Sequence, residues 1–153
     1  MESDWVYKRL KNDKIIEKMK QLVCGMLIDE DTFLIGRRKP DNKNYPDMWE
    51  LPGGKVEDGE SSWEAINREW VEELNIRVKV LHQIPEREMM GTEKTMVFPY
   101  ILRYESGKPQ KNDHSDIKFI KFDEIKDYNF TPISKEVIHI IKRSYALFFK
   151  QPQ

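Results

Sequence analysis

Apolar and polar positions change their period several times along this chain, and each change marks an element. Residues 5–20 place Trp5, Val6, Leu10, Ile15, Ile16 and Met19 among lysines, a pattern that predicts an amphipathic helix. Residues 21–28 then form one apolar run, short and β-branched enough for a strand buried on both faces. Asp29-Glu30-Asp31 predicts a turn, and residues 32–36 a returning strand that completes a hairpin. The polar stretch 39–47, with Pro40 and Pro46, predicts an exposed loop. A short strand over 48–51 stops at Pro52-Gly53-Gly54, and helix signals run from Ser61 to about Leu74. Two longer strands are expected over 76–88 and 95–105, joined near Gly91. A polar connection over 107–113 leads to a strand over 116–122, and a last amphipathic helix spans 134–149. No repeat or low-complexity linker interrupts this order. The fold class expected is α+β: one domain of residues 21–150 behind a helical extension of residues 1–20.

Composition narrows the functional classes. At 153 residues and 39% hydrophobic, the chain can bury one sizeable core. Lys plus Arg (26) nearly balances Asp plus Glu (27), so no bulk charge draws it to nucleic acid or a membrane. No stable nucleic-acid or membrane partner is expected, and a monomer or homodimer fits. The single cysteine, Cys24, excludes an internal disulfide and a cysteine-based zinc cluster, and its place in the apolar run predicts a core thiol. His82, His114 and His139 are scattered and suggest no zinc site. The first twenty residues are too charged for a signal peptide, and no apolar stretch approaches the roughly 20 residues that cross a bilayer. A cytoplasmic protein is the expectation.

The chemistry concentrates in residues 49–76, WELPGGKVEDGESSWEAINREWVEELNI. Ser61 and Glu64 have the spacing of a capping box. Trp63, Ile66, Trp70 and Leu74 fall on one stripe, the expected buried face, while Glu69, Glu72 and Glu73 share another face. Between residues 57 and 73, Glu57, Asp58, Glu60, Glu64, Glu69, Glu72 and Glu73 face Arg68 alone. Like charges four residues apart cost a helix about a few tenths of a kcal/mol each, a cost that a bound divalent cation removes. Three glutamates by themselves would suit a solvated helix surface. The loop before them changes that reading. Gly53-Gly54 allows a tight turn and brings a carbonyl close to whatever the carboxylates hold, and Gly59 permits a second turn. Lys55 adds a charge suited to a phosphate oxygen. No G-K-[S/T] follows the glycines, so this is not a Walker A loop.

These residues resemble the Nudix signature, G-x5-E-x7-R-E-U-x-E-E-x-G-U, in which U is a bulky aliphatic residue. The chain reads Gly54, five residues, Glu60, seven residues, Arg68-Glu69-Trp70, Val71, Glu72-Glu73, Leu74, Asn75 and Ile76. Trp70 replaces an aliphatic residue, and Asn75 replaces a glycine where a left-handed helix end is wanted. The resemblance implies a Nudix fold, a mixed β-sheet sandwiched between helices. It implies Mg2+, or Mn2+ in its place, held by Glu69, Glu72 and Glu73 with the Gly53 carbonyl, the same glutamates supplying the catalytic base. Gly54, Glu60 and Arg68 would keep loop and helix in register, and Asp113 is a candidate extra carboxylate, ahead of Asp116.

Gly36-Arg37-Arg38, the Met48–Lys55 segment and the stretches 114–119 and 130–138 are similar to the MutT-type branch, nucleoside triphosphate pyrophosphohydrolases that include enzymes acting on oxidised nucleotides. That similarity implies a nucleotide substrate cut to a monophosphate and pyrophosphate, with Lys55 and either Arg37 or Arg38 on its phosphates. Ser134 falls at the branch's base-contact position, where it could equally cap the last helix. Other diphosphates are alternatives: ADP-ribose, dinucleoside polyphosphates or capped RNA. The proline and tyrosine expected after the signature in ADP-ribose and dinucleotide enzymes are lacking at that distance. Two further classes are a non-catalytic Nudix-fold binding module, which would have lost signature glutamates, and a diphosphate isomerase, which would need Cys24 exposed for catalysis.

Overall fold

The apolar run of residues 21–28 is the axis of the molecule in a computed structural model. Residues 2–149 are described, apart from the side chains of residues 2–7, 12 and 17. The central strand, β1 (Lys20–Asp29), sends Val23 and Leu27 into one apolar cluster and Cys24 and Met26 into another. Successive side chains of a strand point to opposite faces, so a strand covered on both sides has no polar alternation. The chain turns through Glu30, at φ 56°, into β2 (Thr32–Arg38).

The β1–β2 hairpin opens almost at once, and this opening creates the cleft. The two strands pair only at Ile28–Phe33 and Asp29–Thr32. Farther from the turn, β1 pairs with β4 (Gly53–Lys55), in the register Leu22–Lys55, Val23–Gly54 and Cys24–Gly53. Meanwhile β2 pairs with β3 (Trp49–Glu50) and β8 (His114–Lys121). On the other edge β1 runs parallel to β7 (Lys94–Ser106), which carries β5 (Arg77–Gln83) and β6 (Arg87–Met90) antiparallel to itself. The sheet is therefore mixed. Helix α2 (Ser62–Leu74) packs on the face holding Val23, Leu27, Tyr100 and Leu102. Helix α3 (Pro132–Ser144) packs on the face holding Met26, Phe33, Val97 and Ile101. The expected sandwich is what forms.

Several expectations need correction. The strand expected over 76–88 is two strands, separated at Ile84-Pro85-Glu86, where proline cannot donate to a ladder. The last helix begins at Pro132, a residue whose fixed φ suits the first helical turn. It ends at Ser144, and residues 146–149 form a 3-10 turn instead of continuing it. Thr131 is therefore the N-cap residue, and Ser134 caps nothing. Trp63 is 57% exposed, in a first turn whose neighbours Ser61 and Glu64 are also exposed. Ala65 joins Ile66, Trp70 and Leu74 on the buried face in its place. The first helix, α1 (Glu2–Lys18), forms; of its described apolar side chains Leu10 and Ile15 are exposed and Ile16 is half-buried. The Trp5 and Val6 side chains lie outside the described residues. Among the described residues no helix is long and apolar enough to cross a membrane.

Candidate metal and phosphate site

Helix α2 is fixed at both ends before it presents any carboxylate. The Ser61 hydroxyl accepts from the Glu64 backbone N–H at 3.1 Å, and the Glu64 carboxylate accepts from the Ser61 N–H at 3.3 Å, the capping box that the spacing predicts. Asn75 ends the helix in the left-handed region at φ 56°. Trp70, fully buried, does more than fill a core slot: its indole Nε1 donates to the Pro52 carbonyl at 3.1 Å. Gly25 makes that possible, because a Cβ there would stand 3.1 Å from Nε1 and 2.3 Å from Leu102. The bond ties α2 to the Pro52-Gly53-Gly54 loop.

Arg68 ties the loop down from the other side. Its guanidinium donates through Nε and Nη2 to both oxygens of Glu60 (2.7 and 2.9 Å), and through Nη1 to Glu69 (2.9 Å) and Glu72 (3.1 Å). Nη2 also reaches the Lys55 carbonyl at 2.9 Å. The paired bonds hold the guanidinium firmly in its charged form, while the Arg68 hydrogen bonds pull the Glu60 carboxyl below the usual carboxylate range. Glu60 and Arg68 thus sit where a loop-to-helix clamp would.

The three signature glutamates differ sharply in setting. Glu72 is 58% exposed, whereas Glu69 is 13% exposed and wedged against the loop. A Cβ on Gly54 would stand 2.4 Å from the Glu69 carboxyl carbon, so only glycine lets that carboxylate lie on the backbone. Glu73 is the deepest, with a buried Oε2 that has no partner. Burial first, then the Glu50, Glu69 and Asp113 carboxylates, push its carboxyl up to about 10. Burial, opposed by the Arg68 bond, also raises Glu69. Among the described residues no three such groups already converge on one point. Arg68 holds Glu69 and Glu72, and Glu73 stands behind them. A buried orphan oxygen in the field of three other carboxylates, beside a loop whose Gly53 has no room for a Cβ, is a donor set suited to a hard divalent cation. The fit is to oxygen-loving metals and offers no soft ligand: burial, then Glu50, push the Cys24 thiol up to about 12, so it stays protonated.

Beside the glutamates lies a second hub that sequence reasoning missed. Glu50 accepts from Arg38 Nη1 at 2.7 Å with one oxygen and faces His114 Nε2 at 2.9 Å with the other. His114 is buried, and its Nδ1 has no partner, so the arrangement calls for the tautomer with its hydrogen on Nε2. Gly36 makes room for the ring, since a Cβ there would come within 2.6 Å of it. The Asn44 carbonyl takes Arg38 Nε at 2.9 Å. Nη2 of Arg38 and the second hydrogen of Nη1 have no hydrogen-bond partner among the described residues.

Two neighbouring cavities share Arg38, Glu50 and Glu73 as walls. One, about 340 Å3, is polar and adds Lys39, Asp113 and His114. The other, about 280 Å3, runs between Leu22, Cys24, Val97, Ile133 and Ser134 and reaches Lys20. Arg38 rather than Arg37 faces this space; Arg37 is exposed and turned to Asp47. Lys55 is exposed and lines neither cavity, contributing its carbonyl to Arg68 instead of a charge to the cleft. Gly53 and Gly54 line the second cavity, as does Ser134, whose Oγ accepts from the Leu51 N–H at 3.0 Å. Asp113 borders the polar cavity and Asp116 does not.

Comparison with known proteins agrees with this geometry. The family model described as NUDIX domain matches residues 19–140. The 8-oxo-dGTP diphosphatase of Buchnera aphidicola subsp. Schizaphis graminum (strain Sg) is 26% identical over 87% of this chain and 99% of its own. The RNA pyrophosphohydrolase of a Nitratiruptor species is 31% identical over 71% of this chain and 70% of its own. Among solved structures, the MutT protein from Methanosarcina mazei Go1 superposes with a TM-score of 0.71 at 22% identity, over 82% of this chain and 94% of its own.

Proposed function

The chain belongs to the Nudix family and is a hydrolase of diphosphate linkages, and from that premise we propose that its substrate is a nucleoside triphosphate, cut to a monophosphate and pyrophosphate. One observation carries this reading: a carboxylate-lined polar cavity and a second cavity with an apolar wall of Leu22, Val97 and Ile133 share the walls Arg38, Glu50 and Glu73. A ligand with a polyanionic end and a flat, largely apolar end matches that pair of spaces. The relative named 8-oxo-dGTP diphosphatase, aligned over nearly its whole length, supports the same class.

In this proposal Glu69, Glu72, Glu73 and the Gly53 carbonyl hold Mg2+, with Mn2+ as a substitute. The ion, when bound, offsets the charge that develops on the phosphate oxygens as water attacks phosphorus. The protein's own groups do the rest. Burial and the neighbouring carboxylates favour a protonated Glu73 carboxyl in the metal-free site, and a bound cation would favour its ionised form. Arg38 Nη2 binds an oxygen of the phosphate chain, and Glu50 and His114 keep the guanidinium aimed. Arg68 and Glu60 position the loop, and Ser134 lines the space for the base. Residues 2–18 precede the matched region, and we assign them to an extension outside the catalytic unit.

The test is a panel measuring Mg2+-dependent turnover of canonical and oxidised nucleoside triphosphates, ADP-ribose, diadenosine polyphosphates and 5′-triphosphate RNA. The triphosphate nucleotides are expected to give the highest kcat/KM. A higher value for ADP-ribose or a dinucleotide would overturn the assignment.

A further inference from the structure

We infer that Asn112 is a positioning residue for the cation site: it holds the last turn of α2 in the shape that brings the Glu72 and Glu73 carboxylates to one ion, and so sets the affinity for that ion. The inference rests on the cation-dependent reading above and names a residue, remote in sequence, on which that site depends.

A helix ends with carbonyls that no N–H of its own can reach. In α2 the Asn75 N–H takes the Val71 carbonyl and the Ile76 N–H the Trp70 carbonyl, which leaves those of Glu72, Glu73 and Leu74. All three are taken by one short stretch of the connection between β7 and β8. The Asn112 side-chain amide donates to the Glu72 carbonyl at 2.9 Å, and the Asn112 backbone N–H to the Glu73 carbonyl at 3.1 Å. The Gln110 N–H donates to the Leu74 carbonyl at 2.9 Å. The connection is shaped for this place. Gly107, at φ 106°, passes so close that a Cβ would stand 2.2 Å from the Asn75 carbonyl oxygen. The Asn75 amide donates to the Lys108 carbonyl at 3.0 Å, and the Tyr104 hydroxyl to the Gly107 carbonyl at 2.7 Å.

The backbone held in this way carries the cation's ligands. Glu69, one turn earlier, is held through its side chain by Arg68 and lies against Gly54. Glu72 and Glu73 belong to the final turn, where helices fray, and the buried Glu73 Oε2 has no partner. A binding constellation works only while its groups stay within about 0.5 Å of the productive geometry. Without the Asn112 amide, part of the binding free energy would go into ordering that turn. The Asn112 carbonyl also accepts from Lys39 Nζ at 3.1 Å, which joins the helix end to the segment that follows Arg38. The polar cavity takes Glu73 and Asp113 from one of the joined parts and Arg38 and Lys39 from the other.

The experiment titrates Mn2+ into the nucleotide-free wild type, Asn112→Ala and Asn112→Gln, following free Mn2+ by electron paramagnetic resonance. The Mg2+ dependence of GTP turnover and melting in EDTA are measured in parallel. Asn112→Ala keeps both backbone bonds of the connection, and is expected to weaken Mn2+ binding about fivefold, the scale of one hydrogen bond. The Mg2+ concentration for half-maximal turnover should rise by the same factor, and most of the lost turnover should return at saturating Mg2+. Asn112→Gln, with its amide on a longer stem, should recover part of the Mn2+ affinity. Unchanged Mn2+ affinity in Asn112→Ala with a lower melting temperature overturns the inference and makes Asn112 a helix cap alone. So does a loss of kcat at saturating Mg2+ with unchanged Mn2+ affinity, which would assign the amide to the substrate. A wild-type protein that binds no Mn2+ would overturn the cation reading itself.

Discussion

Replacing Glu73 with glutamine is expected to abolish catalysis while making the metal-free protein more stable at pH 8. The two effects have one cause. The Glu73 carboxyl is pushed up to about 10 by burial and by the neighbouring carboxylates, from an ordinary value of 4.5. Below about pH 4.5 it is protonated in the folded and unfolded chain alike and costs nothing. Between about 4.5 and 10 the unfolded chain ionises it and the folded chain does not, so the unfolded state binds fewer protons and stability falls as pH rises. The slope from this one group approaches about 1.4 kcal/mol per pH unit. Glutamine is neutral throughout and removes that slope. It also removes an anion from the cation site, where loss of about 4 kcal/mol of charge stabilisation corresponds to about a thousandfold in kcat. Melting in EDTA across the neutral range, with turnover in Mg2+, checks both halves. A variant that keeps the wild-type pH slope, or a wild-type rate, would place the raised carboxyl elsewhere.

The second large effect is expected at Arg68. Arg68→Met keeps bulk but strips the partner from Glu60 and Glu69, each 13% exposed. Removing one member of this half-buried, charge-assisted network leaves two carboxylates without their partner, at a cost of about 2 kcal/mol. The sign of the pH dependence is opposite to that of Glu73. The Arg68 hydrogen bonds lower the Glu60 carboxyl, so its contribution is present above the unfolded value and is lost as pH falls through the folded one. The variant should lose that acid-side dependence, and most of its deficit should appear at neutral pH. Glu60→Gln in the Arg68→Met background should then cost much less than in the wild type. Additive losses in this double-mutant cycle would contradict the clamp.

Much of this arrangement was legible in the chain, because local chemistry and tertiary role coincide there. Ser61 and Glu64 cap α2 by themselves, Asn75 takes the left-handed end, and glycine at 53 is enforced by the Val23 backbone, which a Cβ there would overlap. What stayed hidden depends on partners far along the chain. Glu50 and Arg38 lie 12 residues apart, and His114 reaches Glu50 from a strand 64 residues away. A lone histidine without metal-ligand spacing gave no signal of that role. Trp63 follows the helical stripe, yet in the first turn Ser62 is the residue that meets the sheet, its hydroxyl 2.6 Å from that of Tyr100, and the Trp63 side chain is left exposed. Lys55 follows the glycines as a phosphate ligand would, but the β4 register leaves its side chain exposed and outside both cavities.

The most direct test of the account is phosphorus NMR of the products when the protein turns over GTP. With Mg2+ present, the spectrum should show GMP and pyrophosphate growing together, and with EDTA no change. Orthophosphate and GDP as the products, or undiminished turnover in EDTA, would contradict a cation-dependent cut between the α and β phosphorus atoms.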